Sequence, residues 1–210
     1  LFGLVVATIG SVNATALILA GVGPLLWIAH EVVITREARV RDAAKTVGRI
    51  GVMTVGCSLW WLAGLWAQGG YGIDILRYTE TAETVATASL SLEVLRGLGY
   101  WFFYGEDRFG PWIAPSRLYT QRIDVLLLTY VLPALGLIGA SVTRFRERTF
   151  FLLLMTVGLF LAVGAHPWND PSPAGSVVKG FLESDAGLAM RSLPRAAPLV
   201  VLAMSVFIGA

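Results

Sequence analysis

The sequence has 210 residues, of which 56% are hydrophobic and 14% charged, and its formal net charge is +2. Soluble domains usually carry about 25% charged residues, so this composition excludes an ordinary soluble domain and predicts an integral membrane protein. The small basic excess gives no sign of a nucleic-acid partner, and the single cysteine, Cys57, excludes an internal disulfide.

Five apolar segments follow one another along the chain. A bilayer core requires roughly 20 apolar residues per helix, and the segments predict spans at about 8–29, 50–68, 124–143, 149–165 and 198–210. The last segment is too short to cross, and the chain begins inside an apolar run. We therefore expect both ends to be cut, so that residues 1–210 form an internal part of one larger transmembrane domain.

The basic residues orient these spans. Half of the Lys and Arg residues lie in two short connections, 30–49 and 144–148, which are an even number of crossings apart and so share one side. The positive-inside rule places that side in the cytoplasm. Two longer connections then lie on the opposite face, and we name them the first outer loop, 69–123, and the second outer loop, 166–197.

The first outer loop begins with a predicted helix over 78–88. Thr79 is a suitable N-cap, and Glu80 and Glu83 then lie in the first turn, where carboxylates complement the helix dipole. The two glutamates are one helical turn apart, so they are expected on the same face.

A second helix is predicted further along the same loop. Apolar residues recur at three- and four-residue steps from Leu92 to Phe102, and aromatic residues continue to Tyr104, which predicts one amphipathic helix at the membrane interface. Residues 105–111 are predicted to turn, and residues 180–190 of the second outer loop to form a short helix. The predicted fold class is all-α, a polytopic transmembrane helix bundle with interfacial amphipathic helices in its outer loops.

Polar residues of the outer loops are the candidates for chemistry, because the spans hold almost no ionisable group. That scarcity argues against a channel or transporter. Glu80 and Glu83 can bind a sugar hydroxyl or a divalent cation or act as a base, or else only complement a helix dipole. His166, where a span meets the second outer loop, can bind a phosphate or carry a proton, or else be an ordinary interface residue.

Basic and aromatic side chains complete the candidates. Lys179, Arg191 and Arg195 can neutralise a lipid phosphate, or else anchor the loop at the interface. Trp101, Trp112 and Trp168 can stack on sugar rings, or else belong to an aromatic belt.

Several short motifs occur together and in a characteristic order. They are Arg77-Tyr78-Thr79-Glu80-Thr81, Gly97-x-Gly99-Tyr100-Trp101-Phe102-Phe103-Tyr104-Gly105, Asp107-Arg108-x-Gly110-Pro111-Trp112, Tyr119-Thr120-Gln121, Gly164-Ala165-His166-Pro167 and Arg191-Ser192-x-Pro194-Arg195-Ala196. Over about residues 50–210 the chain resembles the membrane arabinofuranosyltransferases of mycobacterial and related actinobacterial cell walls, of the α-(1→3) branching type.

The resemblance implies a GT-C glycosyltransferase, an enzyme of many transmembrane helices in the plasma membrane with its active face in the periplasm. The donor it implies is decaprenyl-phosphoryl arabinose, the acceptor is an arabinan chain, and a divalent cation is the one candidate cofactor. The principal acidic residue of GT-C enzymes lies in their first periplasmic loop. No such loop precedes the first span here, so we expect the main catalytic carboxylate upstream of residue 1.

On this basis we predict roles for eleven residues. The predicted catalytic residues are Glu80 and His166. The predicted donor-phosphate ligands are Lys179, Arg191 and Arg77. The predicted acceptor or sugar ligands are Glu83, Tyr104, Asp107, Trp112, Trp168 and Asp170. No metal ligands are assigned.

Two other functions stay open from the sequence. The chain can be a non-catalytic membrane scaffold of a cell-envelope complex, whose outer loops would bind a partner protein. It can also be a flippase or transporter, although the sparse charge of the spans argues against a polar path through the bundle.

Overall fold

The structure is a computed structural model that describes residues 2–10, 14–73 and 78–210. Arg77, a predicted phosphate ligand, lies outside the described residues. The chain divides into two compact units, Leu1–Thr79 and Glu80–Ala210.

The first unit consists of helices. They are α1 (Phe2–Gly10), α2 (Ala14–Ala29, continued by a π-helical turn, His30–Ile34) and α3 (Val40–Gly69). Two segments, Ala14–Ile34 and Val40–Gly69, are long and apolar enough to cross a membrane. Helix α3 begins at Val40 rather than near residue 50, so its first turns include basic residues of the 30–49 connection. Lys45 and Asp42 pair there across 3.9 Å.

The second unit begins with the short elements of the first outer loop. In chain order they are α4 (Ala82–Ala88), α5 (Ser91–Leu95), a 3-10 helix (Trp101–Tyr104), the strands β1 (Glu106–Asp107) and β2 (Gly110–Pro111), and α6 (Ser116–Gln121). The two strands form an antiparallel hairpin in which Glu106 lies opposite Pro111. The predicted turn at 105–111 is therefore a hairpin.

Apolar helices form the rest of this unit. They are α7 (Ile123–Thr129), α8 (Val131–Val142), α9 (Arg148–Val163), then α10 (Pro173–Leu182) and α11 (Asp185–Leu188) of the second outer loop, and finally a 3-10 turn (Leu193–Ala196) leading into α12 (Ala197–Gly209). Together α7 and α8 form a third segment long and apolar enough to span, Ile123–Val142. The all-α transmembrane prediction is confirmed.

Helix α12 is the centre of the second unit, packed against both α8 and α9. A Cβ atom at Gly139 of α8 would lie 2.2 Å from the Phe207 carbonyl oxygen of α12. Only glycine permits this approach, and small residues at helix contacts are the usual means of close packing in membranes. Phe207, Val200 and Ala203 of α12 are almost fully buried as a result.

A second, smaller core fixes the outer loops to this bundle. Ala86 of α4, Ala165 after α9, Leu182 of α10 and Leu193 of the 3-10 turn pack together. The contact holds α4 and α10 beside the end of α9, and it brings residues of both outer loops into one region.

Three predictions within the outer loops are wrong. The cap of α4 is Thr81, whose Oγ1 accepts from the Thr84 amide at 3.1 Å, so Glu80 precedes the helix. The predicted aromatic helix is broken, because Gly97 and Gly99 adopt φ of 76° and 89° and end α5. The predicted helix over 180–190 is two helices, α10 and α11, separated at Ser184, which caps the second.

Candidate functional site

An open groove of about 740 Å³ lies in the first outer loop. Helix α4 lines it with Glu83 and Thr87, α5 with Glu93, and the 3-10 helix with Trp101 and Tyr104. Trp112, which follows β2, also lines it. The groove therefore combines two carboxylates with three large aromatic side chains.

The hairpin holds Trp112 in place. Its backbone N–H donates to the Gly105 carbonyl at 3.0 Å, and its indole N–H donates to Asp107 Oδ2 at 3.3 Å. A Cβ atom at Gly105 would lie 2.0 Å from the Trp112 ring, so the ring lies directly on the glycine backbone. Trp101 contacts Trp112 edge to face, with ring centroids 5.7 Å apart. The aromatic side of the groove is thus a packed and oriented surface.

The carboxylate of Glu93 is held by two neighbours. The Tyr104 hydroxyl donates to Oε2 at 2.6 Å and accepts from the Gly99 amide at 3.1 Å. The Arg96 guanidinium donates to Oε1 at 2.5 Å. Burial raises the pKa of Tyr104 above its usual range, and the hydrogen bond to Glu93 raises that pKa further.

Glu80 and Arg191 form a second cluster, which joins the two outer loops. Glu80 Oε1 accepts from the Ser192 hydroxyl at 3.0 Å, and Glu80 Oε2 lies 3.8 Å from Arg191 Nη2. The side chains of Glu80 and Arg191 are 14% and 7% exposed. Arg191 also donates to the Leu188 carbonyl at 2.6 Å. A predicted catalytic carboxylate and a predicted phosphate ligand are therefore ion-pair partners.

His166 and Lys179 contact backbone carbonyls nearby in the fold. His166 Nδ1 lies 2.9 Å from the Ala86 carbonyl oxygen. Since that oxygen can only accept, Nδ1 carries the proton, and Nε2 is the acceptor nitrogen when the ring is neutral. Lys179 Nζ donates to the Trp168 carbonyl at 3.1 Å and lies 4.6 Å from the centroid of the Trp168 ring. The His166 contact joins the second outer loop to α4 of the first, whereas the Lys179 contact lies within the second outer loop.

The predicted site residues thus fall into separate groups. The groove collects Glu83, Tyr104 and Trp112, with Asp107 directly behind Trp112. Glu80 is paired with Arg191, and Trp168 with Lys179. Asp170 is exposed, and its backbone N–H donates to the Pro167 carbonyl at 3.2 Å.

Sequence reasoning missed Glu93 and Arg96. Their i, i+3 spacing is the one signal that could have indicated a pair, because residues three apart are neighbours on a helix. It also missed Ser192, whose contact with Glu80 joins residues 112 positions apart and leaves no local pattern.

The predicted divalent cation has no ligand set in the part of the chain that the structure describes. Over residues 2–10, 14–73 and 78–210, no three His, Cys, Asp or Glu side chains are grouped so that they could hold a metal ion. Glu80 has its own partners in Ser192 and Arg191. The cation therefore stays a prediction without assigned ligands, and no chemical step is derived through it.

Comparisons with known proteins support one family. A family model described as alpha-(1->3)-arabinofuranosyltransferase, N-terminal GT-C domain, matches residues 2–210. The chain is also 28% identical over 206 residues to the alpha-(1->3)-arabinofuranosyltransferase of Mycobacterium tuberculosis (strain ATCC 25618 / H37Rv). That alignment covers 94% of this chain but 13% of the relative, so the chain spans about an eighth of the relative's length. No solved structure matches the chain.

Proposed function

The chain belongs to the family of alpha-(1->3)-arabinofuranosyltransferase N-terminal GT-C domains, and on that premise we propose that it is part of a membrane enzyme that transfers arabinofuranose to cell-wall arabinan. The proposed donor is a polyprenyl-phosphate sugar, decaprenyl-phosphoryl arabinose. The proposed acceptor is the arabinan of arabinogalactan or lipoarabinomannan. The outer loops would face the periplasm, on the outer side of the plasma membrane.

The groove of the first outer loop is the observation that carries this proposal. Its volume of about 740 Å³ lies within the range of small-molecule sites, roughly 300–1,000 Å³. Aromatic rings such as Trp101 and Trp112 offer apolar faces to the C–H side of a sugar ring. The carboxylates of Glu83 and Glu93 can only accept hydrogen bonds, which suits the hydroxyl donors of a glycan.

The proposed reaction is a displacement at the anomeric carbon of the donor. An acceptor hydroxyl loses its proton to a carboxylate and forms the new C–O bond, while the bond from the anomeric carbon to the phosphate oxygen breaks and its electrons leave with the lipid phosphate. We assign Glu80 to positioning of the acceptor. His166, with Lys179 or Arg191, would stabilise the negative charge on the leaving phosphate.

The test is transfer by the full-length protein in membranes, with lipid-linked arabinose and an arabinan oligosaccharide. His166→Ala is expected to lower the rate at least tenfold, since charge stabilisation at a reacting centre is commonly worth about 10²-fold or more. Glu80→Gln is expected to lower it at least tenfold because a misplaced reactant can cost about 10²-fold. Glu183→Gln, which removes an exposed carboxylate at the end of α10, is the matched control and should keep the wild-type rate. Near-wild-type rates in both site variants would overturn the catalytic assignment.

A non-catalytic scaffold is the second candidate, and one observation favours it. Both oxygens of Glu80 and the Nδ1 atom of His166 are engaged in contacts that hold the outer loops together. A scaffold requires such contacts and no reactive groups. It predicts that Glu80→Gln lowers thermal stability while arabinose transfer by the full-length protein is unchanged.

A further inference from the structure

We propose that Glu93 is the residue of the groove that binds the hydroxyl groups of the acceptor sugar, and that Arg96 and Tyr104 position its carboxylate. The inference deepens the function proposed above and rests on it. The acceptor class is a polyhydroxylated furanose chain, which offers hydroxyl donors and apolar ring faces but no charge.

Glu93 lies at the polar side of the groove and retains capacity for a ligand. Its side chain is 17% exposed, and each carboxylate oxygen has one protein donor, Arg96 on Oε1 and Tyr104 on Oε2. A carboxylate offers about four lone-pair sites. Two of them therefore remain for hydroxyl donors from the groove.

Arg96 fixes the direction of this carboxylate. Its side chain is 1% exposed, and besides Glu93 it donates to Thr129 Oγ1 of α7 at 2.8 Å and to the Tyr119 carbonyl of α6 at 2.9 Å. A guanidinium is a planar group with a rigid set of donors. Because α6 and α7 both hold that plane, Arg96 presents its remaining N–H donor to Glu93 in one orientation.

Tyr104 fixes the second oxygen. Its hydroxyl has a single proton, and the Gly99 amide donates to the phenolic oxygen, so the proton is directed to Glu93. Neither oxygen of Glu93 is therefore free to rotate away from the groove without breaking a charged or buried hydrogen bond.

Trp101 supplies a complementary donor in the same groove. Its indole N–H is buried and has no hydrogen-bond partner among the residues that the structure describes. A buried donor without an acceptor is costly, and a sugar hydroxyl both donates and accepts. The groove thus combines an acceptor-only carboxylate with a lining tryptophan whose donor is unpaired, and a ligand with hydroxyl groups suits both.

The experiment measures the kinetics of the full-length enzyme in nanodiscs, varying a synthetic arabinofuranosyl oligosaccharide at saturating lipid-linked arabinose. Glu93→Gln and Trp101→Phe are expected to raise the acceptor KM about tenfold or more, the loss of one hydrogen bond to a charged or buried group. The donor KM should stay near wild type in both variants. The Tm should stay near wild type in Trp101→Phe, whereas Glu93→Gln should lower it, because the buried Arg96 guanidinium loses its carboxylate partner. Arg96→Lys keeps the charge but loses the planar set of donors, and should raise the acceptor KM several-fold.

Glu106→Gln is the matched control. Glu106 pairs with Arg117 across 3.1 Å in the same loop, but both side chains are more than half exposed and Glu106 does not line the groove. This variant should keep the acceptor KM of the wild type.

The possible failures are distinguishable. A wild-type acceptor KM in both Glu93→Gln and Trp101→Phe would overturn this inference and leave arabinose transfer intact. A change of acceptor KM that is matched by an equal change of the donor KM in both variants would also overturn it, because it would make Glu93 only a structural residue. If Glu93→Gln does not fold, Trp101→Phe and Tyr104→Phe decide the question alone. If the wild-type enzyme neither binds nor elongates the oligosaccharide, the proposed function itself fails.

Discussion

The guanidinium of Arg96 donates to the carboxylate of Glu93 across 2.5 Å, and each residue of this pair lines a different groove. Glu93 lines the aromatic groove of the first outer loop. Arg96 lines an apolar groove of about 310 Å³ whose other residues include Leu132 of α8 and Val201 of α12. The pair therefore connects the polar groove directly to the helices of the apolar bundle.

Gly105→Ala is expected to disturb the groove selectively. The backbone at Gly105 has φ −69° and ψ 141°, which alanine adopts freely, but its Cβ would lie 2.0 Å from the Trp112 ring. Because Trp112 must move, the acceptor KM of the full-length enzyme should rise several-fold, and overpacking should cost about 1–3 kcal/mol of folding free energy. Gly180→Ala is the control, since a Cβ there meets no atom within 4 Å. Equal acceptor KM values in the two variants would contradict the role of the Trp112 surface.

The spans and the elements of the outer loops differ in how well sequence predicts them. The span at 124–143 is found at Ile123–Val142, because a bilayer requires about 20 apolar residues and the pattern is visible within the segment itself. The helix predicted from Leu92 to Tyr104 is broken into α5 and a 3-10 helix, because Gly97 and Gly99 turn the chain where periodicity alone predicts continuation. A local apolar pattern therefore predicts this segment, whereas breaks in the backbone determine the elements of the loops.

Only some residues of the groove were predicted as ligands, for a similar reason. Tyr104 directly precedes Gly105 and Trp112 follows Gly110 by two residues, so both stand out in the sequence, and both line the groove. Glu93 does not stand out, because a glutamate in a first helical turn is usually solvated. Its importance depends on Arg96, whose other partners, Tyr119 and Thr129, are 23 and 33 residues further along the chain.

Tyr104 gives a pH dependence with a definite sign. Burial and the Glu93 hydrogen bond raise its pKa above the ordinary value of 10.0. A folded-state pKa above the unfolded value means that the stabilisation is fully present below pH 10.0 and is lost as the pH rises through the folded-state pKa. The Tm difference between wild type and Tyr104→Phe should therefore be constant up to about pH 10 and shrink above it. Thermal unfolding of the two proteins across this pH range measures the Tm difference. A Tm difference that shrinks near neutral pH would contradict a raised pKa of Tyr104.

The contact between α8 and α12 should depend on Gly139. A Cβ atom there would lie 2.2 Å from the Phe207 carbonyl oxygen, which belongs to a helix backbone and cannot move aside alone. Gly139→Ala should lower the free energy of unfolding by about 1–3 kcal/mol, the usual cost of overpacking. Gly56→Ala, in α3, has open space around the new Cβ and should have a much smaller effect. Thermal unfolding in the same detergent compares the two, and equal Tm values would argue against close packing at Gly139.

The Glu80–Arg191 pair should behave as one unit in a double-mutant cycle. Its side chains are 14% and 7% exposed, so removing either partner leaves the other poorly solvated. Breaking a fully buried pair costs roughly 3–5 kcal/mol, and the 3.8 Å separation here places the expected loss of unfolding free energy for Arg191→Met nearer to about 2 kcal/mol.

The double variant of Arg191→Met with Glu80→Gln should lose less unfolding free energy than the sum of the single variants, with a coupling of about 1 kcal/mol or more. The exposed Glu106–Arg117 pair, treated in the same way, should give a coupling of about 0.2–1 kcal/mol. If the losses of unfolding free energy in the two single variants add up to the loss in the double variant, the two loops are not joined through this pair. Glu80 would then be available for the acceptor.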